Sequence, residues 1–119
     1  MTCDVVVVDD DTDFSQSLVA LLEYERYSVE SFPTPEAAFE WMLAGNRTHV
    51  VLLDLHTGGM SAQRFRALMI SAPELQDVPV LMVSGDPRVR TIASSVGAVG
   101  AFQKPVDVDK LIRRLHDFC

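Results

Sequence analysis

Two runs of four consecutive apolar residues, Val5–Val8 and Val50–Leu53, each stop at an aspartate: Asp9, with Asp10 beside it, and Asp54. An unbroken apolar run offers no polar face to water, so it belongs to a strand covered on both sides, as in a parallel sheet between helices. If the two strands are neighbours, their carboxyl ends bring three carboxylates into the crevice where open α/β sheets place their ligands. Carboxylates held that close repel one another and require a cation.

The rest of the chain repeats the same unit. After Asp9-Asp10, Phe14, Leu18, Leu21 and Leu22 recur at helical spacing, with Asp11, Thr12 and Asp13 as cap and first-turn acids. Tyr27–Phe32 reads as a second strand, followed by a helix with Thr34 as cap, Pro35 at its first position and Gly45 just past its end. His49–Leu53 is the third strand. Gly58-Gly59 mark a loop before a helix from about Ser61 to Ile70, with Phe65, Leu68 and Met69 on its apolar side. Val80–Val83 is a fourth strand running into Ser84, and Asp86-Pro87 signals the start of a helix that ends at Gly97. Val99–Gln103 is the fifth strand, stopping at Lys104-Pro105, and Leu111, Ile112, Leu115 and Phe118 mark a last helix. Regular alternation predicts an α/β, flavodoxin-like (βα)5 fold: a doubly wound five-stranded parallel sheet in the order 2-1-3-4-5, with right-handed crossovers. In that order the first and third strands are neighbours.

A chain of 119 residues without linker, repeat or low-complexity tract is expected to be one domain, residues 1–119. A net charge of −7 argues against direct nucleic-acid binding, which needs clustered Lys and Arg. No stretch approaches a membrane span and the N-terminus lacks a signal-peptide pattern, so the expected location is cytoplasmic. Cys3 and Cys119 have neither CxxC spacing nor flanking histidines, so free thiols are expected; His49 and His116 read as structural or solvated.

Strands in a sheet lie about 4.8 Å apart, so Asp9 or Asp10 would share one ion with Asp54. Hard oxygen ligands in that number favour Mg²⁺, which keeps positions for water and phosphate oxygens. Ser84 ends the fourth strand with a hydroxyl for a phosphoryl oxygen, and Gly85 leaves the approach open. Lys104 ends the fifth with a compact ammonium suited to phosphate. Singly, Asp10 and Asp11 would serve as a helix N-terminus, Ser84 as a strand end and Lys104 as a solvated charge. Their joint placement at four strand ends is what points to phosphate chemistry.

The chain resembles the receiver domain of two-component response regulators, chemotaxis-regulator-like, through VVVVDDD at 5–11, VVLLDLHTGGM at 50–60, VPVLMVSGD at 78–86 and GAVGAFQKPVD at 97–107. The resemblance spans all five βα units. It implies that Asp54 accepts a phosphoryl group from a histidine kinase or histidine phosphotransfer protein, as an acyl phosphate. It further implies that Mg²⁺ is held by Asp10 and Asp54 directly, by Asp9 mostly through water and by the backbone carbonyl of His56. Ser84 and Lys104 would contact the phosphoryl oxygens, giving a catalytic set of Asp54, Ser84 and Lys104. Such a receiver is no enzyme beyond its own Mg²⁺-dependent phosphorylation and dephosphorylation. Its output would be altered binding to a downstream protein target or output domain, through the face made by the fourth helix, fifth strand and fifth helix. It would be either a stand-alone regulator or the receiver of a longer protein.

Two positions depart from the family pattern. Where the family carries an aromatic switch residue in the fifth strand, this chain has Ala101, with Phe102 one residue later and therefore on the opposite face. Where the family usually has proline after the acceptor, this chain has Gly58, which frees the loop. His56 and Asp86 stand where the family tunes access of the hydrolytic water. The departures favour an alternative, a pseudo-receiver that binds partners without phosphorylation, whereas the intact acidic set and Lys104 oppose it. A Mg²⁺-dependent phosphohydrolase would need an aspartate where His56 stands. A flavin-binding domain would need a Gly/Ser/Thr-rich phosphate loop where the repelling Asp9-Asp10 pair stands.

Overall fold

The computed structural model describes residues 2–119. Its elements alternate strictly: β1 (Asp4–Val8), α1 (Thr12–Tyr24), β2 (Ser28–Phe32), α2 (Pro35–Leu43), β3 (Val50–Leu53), α3 (Ala62–Ser71), β4 (Val80–Ser84), α4 (Val89–Val96), β5 (Gly100–Gln103) and α5 (Val108–Leu115), closed by a 3₁₀ turn, His116–Phe118. All strand pairings are parallel, in the order β2-β1-β3-β4-β5. Val8 pairs with Leu53, so Asp9 and Asp54 leave the sheet side by side at the point where strand order reverses.

The strands are apolar because both faces are covered. Val6, Val8, Val51, Leu53, Val80 and Met82 pack with Ala38, Met42, Phe65, Met69, Val89 and Ala93 of α2, α3 and α4. The alternate residues Val5, Val7, Val50, Leu52, Leu81 and Val83 pack with Leu18, Leu22, Leu111 and Leu115 of α1 and α5. Period-two alternation thus divides one run of valines between two cores.

Most helix ends follow their local signals. Asp11, Thr34, Ser61 and Asp107 cap α1, α2, α3 and α5 by accepting from the amides of Phe14, Ala37, Arg64 and Lys110. Gly97, at φ 76°, ends α4 in the left-handed conformation. The α1 exit uses Arg26 at φ 72° instead of glycine, and Arg26 N and Tyr27 N close the turn onto the carbonyls of Glu23 and Leu22. Tyr27 is thereby held in the turn and β2 begins one residue later than its apolar pattern suggests.

Two expectations are corrected. The Asp86-Pro87 signal marks a turn, and α4 proper begins at Val89: Asp86 receives the Arg88 amide on its carboxylate and the Val89 amide on its carbonyl. Cys3 and Cys119 are not free thiols but disulfide partners, with Cα atoms 5.5 Å apart across 116 residues of sequence. That separation lies within the range a disulfide bridges, and only the tertiary return of α5 to the start of β1 creates it.

Candidate phosphorylation site

Asp9, Asp10, Asp54, Ser84 and Lys104 meet at the carboxyl edge of the sheet. Asp9 continues from β1, with its amide bonded to the Phe32 carbonyl, and Asp54 continues from β3, with its amide bonded to the Val8 carbonyl. The backbone ladder therefore runs into the site and fixes both carboxylates. One oxygen from each of Asp9, Asp10 and Asp54 lies within 4.8 Å of the others. Asp9 and Asp54 are buried and Asp10 is exposed, so the cluster opens to solvent on the Asp10 side.

Lys104 crosses the crevice from β5. Its Nζ donates to Asp9 Oδ2 at 2.8 Å, stands 3.7 Å from Asp54 Oδ2 and lies 4.1 Å above the ring centre of Phe14. The ring face favours the ammonium and limits its rotation. The Lys104 amide is bonded to the Ser84 carbonyl at 2.8 Å, tying two of the predicted residues across β4 and β5. Ser84 is buried, and its Oγ accepts from the Asp86 amide at 3.2 Å.

The electrostatics leave an excess of negative charge. Burial pushes the Asp9 carboxyl above the usual aspartate range, Asp54 adds to the rise, and the bonds from Lys104 and the Asp11 amide oppose it without cancelling it. Asp54 turns Oδ1 to the Leu55 amide at 2.7 Å. Three carboxylates against one ammonium leave two uncompensated charges, an all-oxygen donor set that fits a hard divalent cation. His56 lies two residues past Asp54, but its imidazole is exposed and bonded through Nε2 to Asp86 Oδ2 at 2.9 Å, away from the carboxylate cluster. The ring is thus not among the potential metal-binding side chains, which leaves only the backbone carbonyl for the predicted role.

Several contacts escape a reading by residue pattern. Arg88 forks onto Asp86, and with His56 it holds that carboxyl well below the usual range, joining the loops after β3 and β4. Phe14 belongs to the apolar stripe of α1, which reveals its helix face but not its seat under Lys104. Glu36, at the start of α2, accepts the Met60 amide. Nothing in its local sequence distinguishes it from an ordinary first-turn acid.

Such a crevice defines a class: a doubly wound domain whose sheet edge gathers three carboxylates able to hold a cation, two of them buried, with an ammonium across them and a buried serine ending the next strand. Comparison with known proteins is more specific. The family model described as the response regulator receiver domain matches residues 5–116, and the chain belongs to that family. It is 30% identical over 114 residues to the nitrogen assimilation regulatory protein NtrX of Azorhizobium caulinodans, covering 94% of this chain and 25% of NtrX. It is 30% identical over 107 residues to protein Rrf1 of Nitratidesulfovibrio vulgaris, covering 90% of this chain and 75% of Rrf1. The chain therefore spans about a quarter of NtrX but most of Rrf1. Among solved structures, the response regulator TrrA of Thermotoga maritima, in complex with Mg(2+)-BeF, superimposes with a TM-score of 0.86 at 21% identity, covering 99% of this chain and 100% of TrrA.

Proposed function

We propose that this receiver accepts a phosphoryl group on Asp54 from a histidine kinase or histidine phosphotransfer protein. The observation that carries the reading is the convergence of Asp54 with Asp9, Asp10 and Lys104 at the β1/β3 edge. A carboxylate oxygen of Asp54 forms the new bond to phosphorus while the donor's bond to phosphorus breaks and its electron pair leaves with the donor. The barrier is largely repulsion between anions, and Lys104 offsets it with a positioned positive charge. Ser84 supplies a hydroxyl to the phosphoryl oxygens. Asp9, Asp10, Asp54 and the backbone carbonyl of His56 would hold Mg²⁺, which supplies further positive charge when bound. The donor set supports that choice, as does the Mg(2+)-BeF complex of TrrA.

In this reading the domain turns over no substrate other than its own acyl phosphate, works in the cytoplasm, and signals through a downstream protein or output domain. It touches no nucleic acid directly, and its net charge of −7 supports that. No helix among the described residues is long and apolar enough to cross a membrane. The test is to incubate the protein with Mg²⁺ and acetyl phosphate and follow the intact mass. The expected result is one phosphoryl adduct on the wild type and none on Asp54→Ala. No adduct on the wild type would favour the phosphorylation-independent pseudo-receiver.

A further inference from the structure

The loop that follows Asp54 carries two consecutive glycines, Gly58 at φ 76° and Gly59, and reaches α3 only at the Ser61 cap. A loop of that composition is expected to be loose. Its near end is held by the Leu55 amide on Asp54, and its far end by Ser61 receiving the Arg64 amide. Between them, the only hydrogen bond among the described residues from Gly58–Met60 to another element runs from the Met60 amide to Glu36 Oε1, at 3.1 Å.

Gly59 is shaped to this contact. A Cβ built on Gly59 would overlap Glu36 Oε1 and stand 3.1 Å from both Cδ and Oε2 of that carboxylate. No backbone atom obstructs the same position within 4 Å closely enough to rank among its nearest contacts, and φ at Gly59 is not left-handed. The absence of a side chain at position 59 therefore makes room for Glu36 rather than permitting an unusual turn. Glu36 itself sits in the first turn of α2, where the helix N-terminus favours a carboxylate.

We propose that Glu36 is a positioning residue for the Asp54 site. By bonding Met60 across the Gly59 gap it ties the acceptor loop to α2 and supplies the restraint that Gly58 gives up. The segment so restrained includes His56, whose backbone carbonyl is assigned to the metal. The inference deepens the proposed function and rests on it for that assignment. A tether of one hydrogen bond biases the loop toward its site-forming arrangement by roughly two- to tenfold.

The test uses Glu36→Ala, Glu36→Gln, Gly59→Ala and the Glu36→Ala/Gly59→Ala double variant, each checked for an unchanged fold by circular dichroism. Three quantities are read: hydrogen exchange of the Met60 amide, Mg²⁺ affinity by titration, and the rate of phosphorylation by acetyl phosphate. Glu36→Ala should speed Met60 exchange and weaken Mg²⁺ binding by roughly two- to tenfold, with Glu36→Gln, which keeps the acceptor oxygen, close to wild type. Gly59→Ala should reproduce Glu36→Ala because it expels the carboxylate, and the double variant should be no worse than either single one. Additive losses in the double variant, or Mg²⁺ affinity unchanged in Glu36→Ala, would overturn the proposal. If the wild type binds Mg²⁺ in a Glu36-dependent way yet never gains a phosphoryl group, the acceptor reading fails and the tether stands. If phosphorylation proceeds and is indifferent to Glu36 in both rate and metal affinity, the reverse holds. A wild type that binds no Mg²⁺ defeats both.

Discussion

Lys104 donates to Asp9 at 2.8 Å and stands 3.7 Å from Asp54, so without a metal its ammonium is committed first to Asp9, the neighbour of the proposed acceptor. That pairing compensates only part of the buried negative charge, since the Asp9 carboxyl remains raised in spite of it. Opposite effects on metal-free stability follow. Asp9→Asn should raise the thermal midpoint, because it removes a carboxylate that the fold disfavours in its charged form. Lys104→Met should lower stability by about 1–3 kcal/mol, because it strands two buried carboxylates without their cation. Thermal unfolding with EDTA present measures both, and a loss of stability in Asp9→Asn would show that its hydrogen bonds outweigh the repulsion.

The raised Asp9 carboxyl also sets a pH dependence. In the folded protein this group holds its proton to a higher pH than in the unfolded chain, where it titrates near 3.9. Its contribution is therefore most favourable at low pH and is lost as pH rises from that value through the folded-state titration. Subtracting the urea-unfolding profile of Asp9→Asn from that of the wild type, both without metal, should leave a component that falls with pH in that window. A difference that rises with pH there would reverse the assigned direction.

The fold was legible because its signals are local or periodic. The valine run of β1, the caps Asp11, Thr34 and Ser61 and the left-handed Gly97 each act within a few residues. The candidate residues Asp9, Asp10, Asp54, Ser84 and Lys104 were legible for the same reason, since each lies at, or within two residues past, the carboxyl end of a strand. What stayed hidden depends on distant segments meeting. Glu36 is 24 residues from Met60, His56 is 30 from Asp86, and Cys3 is 116 from Cys119. No period or cap rule links such pairs before the chain is folded.

Strand alternation decides what Ala101 and Phe102 can do. Ala101 pairs with Met82 and packs against the α2, α3 and α4 core, whereas Phe102 pairs with Val83 and packs on the α1 and α5 side. Ala101 borders an open surface groove of about 240 Å³, lined also by Arg90, Ala93, Ser94, Ala98, Val99 and Gly100. Phe102→Ala should cost about 2 kcal/mol, less than a fully buried phenylalanine because Phe102 is partly exposed. Ala101→Leu should change stability by less than about 1 kcal/mol, since Ala101 is only partly buried and the groove beside it is open to solvent. Equilibrium urea unfolding distinguishes the two; equal losses would mean that both side chains share one core.

The Cys3–Cys119 bridge joins the start of β1 to the end of the last turn. Protein purified without reductant should resist alkylation at both thiols and become two hydrogens heavier on reduction. Closing 116 residues of chain limits the unfolded state, so reduction or Cys3→Ser should lower stability by as much as about 4–5 kcal/mol on the chain-entropy account. In a reducing cytoplasm the thiol form is expected instead. Two alkylated cysteines in the unreduced protein, with no change in thermal midpoint on adding reductant, would dispose of the bridge.

His56 and Asp86 join the loops after β3 and β4 at 2.9 Å, and Arg88 locks Asp86 from the far side with bonds of 2.8 and 3.1 Å. The bridge joins the segment leaving Asp54, the proposed acceptor, to the segment leaving Ser84, and it is the side-chain pair on these two segments that would narrow the path of water to a phosphorylated Asp54. Hydrolysis of an aspartyl phosphate needs water to reach phosphorus opposite the Asp54 oxygen, and side chains that narrow the approach lengthen its life. The double substitution His56→Ala/Asp86→Ala should therefore speed dephosphorylation several-fold. Its cost to folding should fall on Asp86→Ala, whose side chain is 9% exposed and accepts the Arg88 amide, because His56 is 64% exposed and an exposed partner contributes little; His56→Ala alone is the control. The decay of phosphorylated protein, followed by intact mass after the donor is removed, measures the lifetime directly. An unchanged rate would mean that water reaches Asp54 by another side, and a slower one would assign His56 or Asp86 to the water itself.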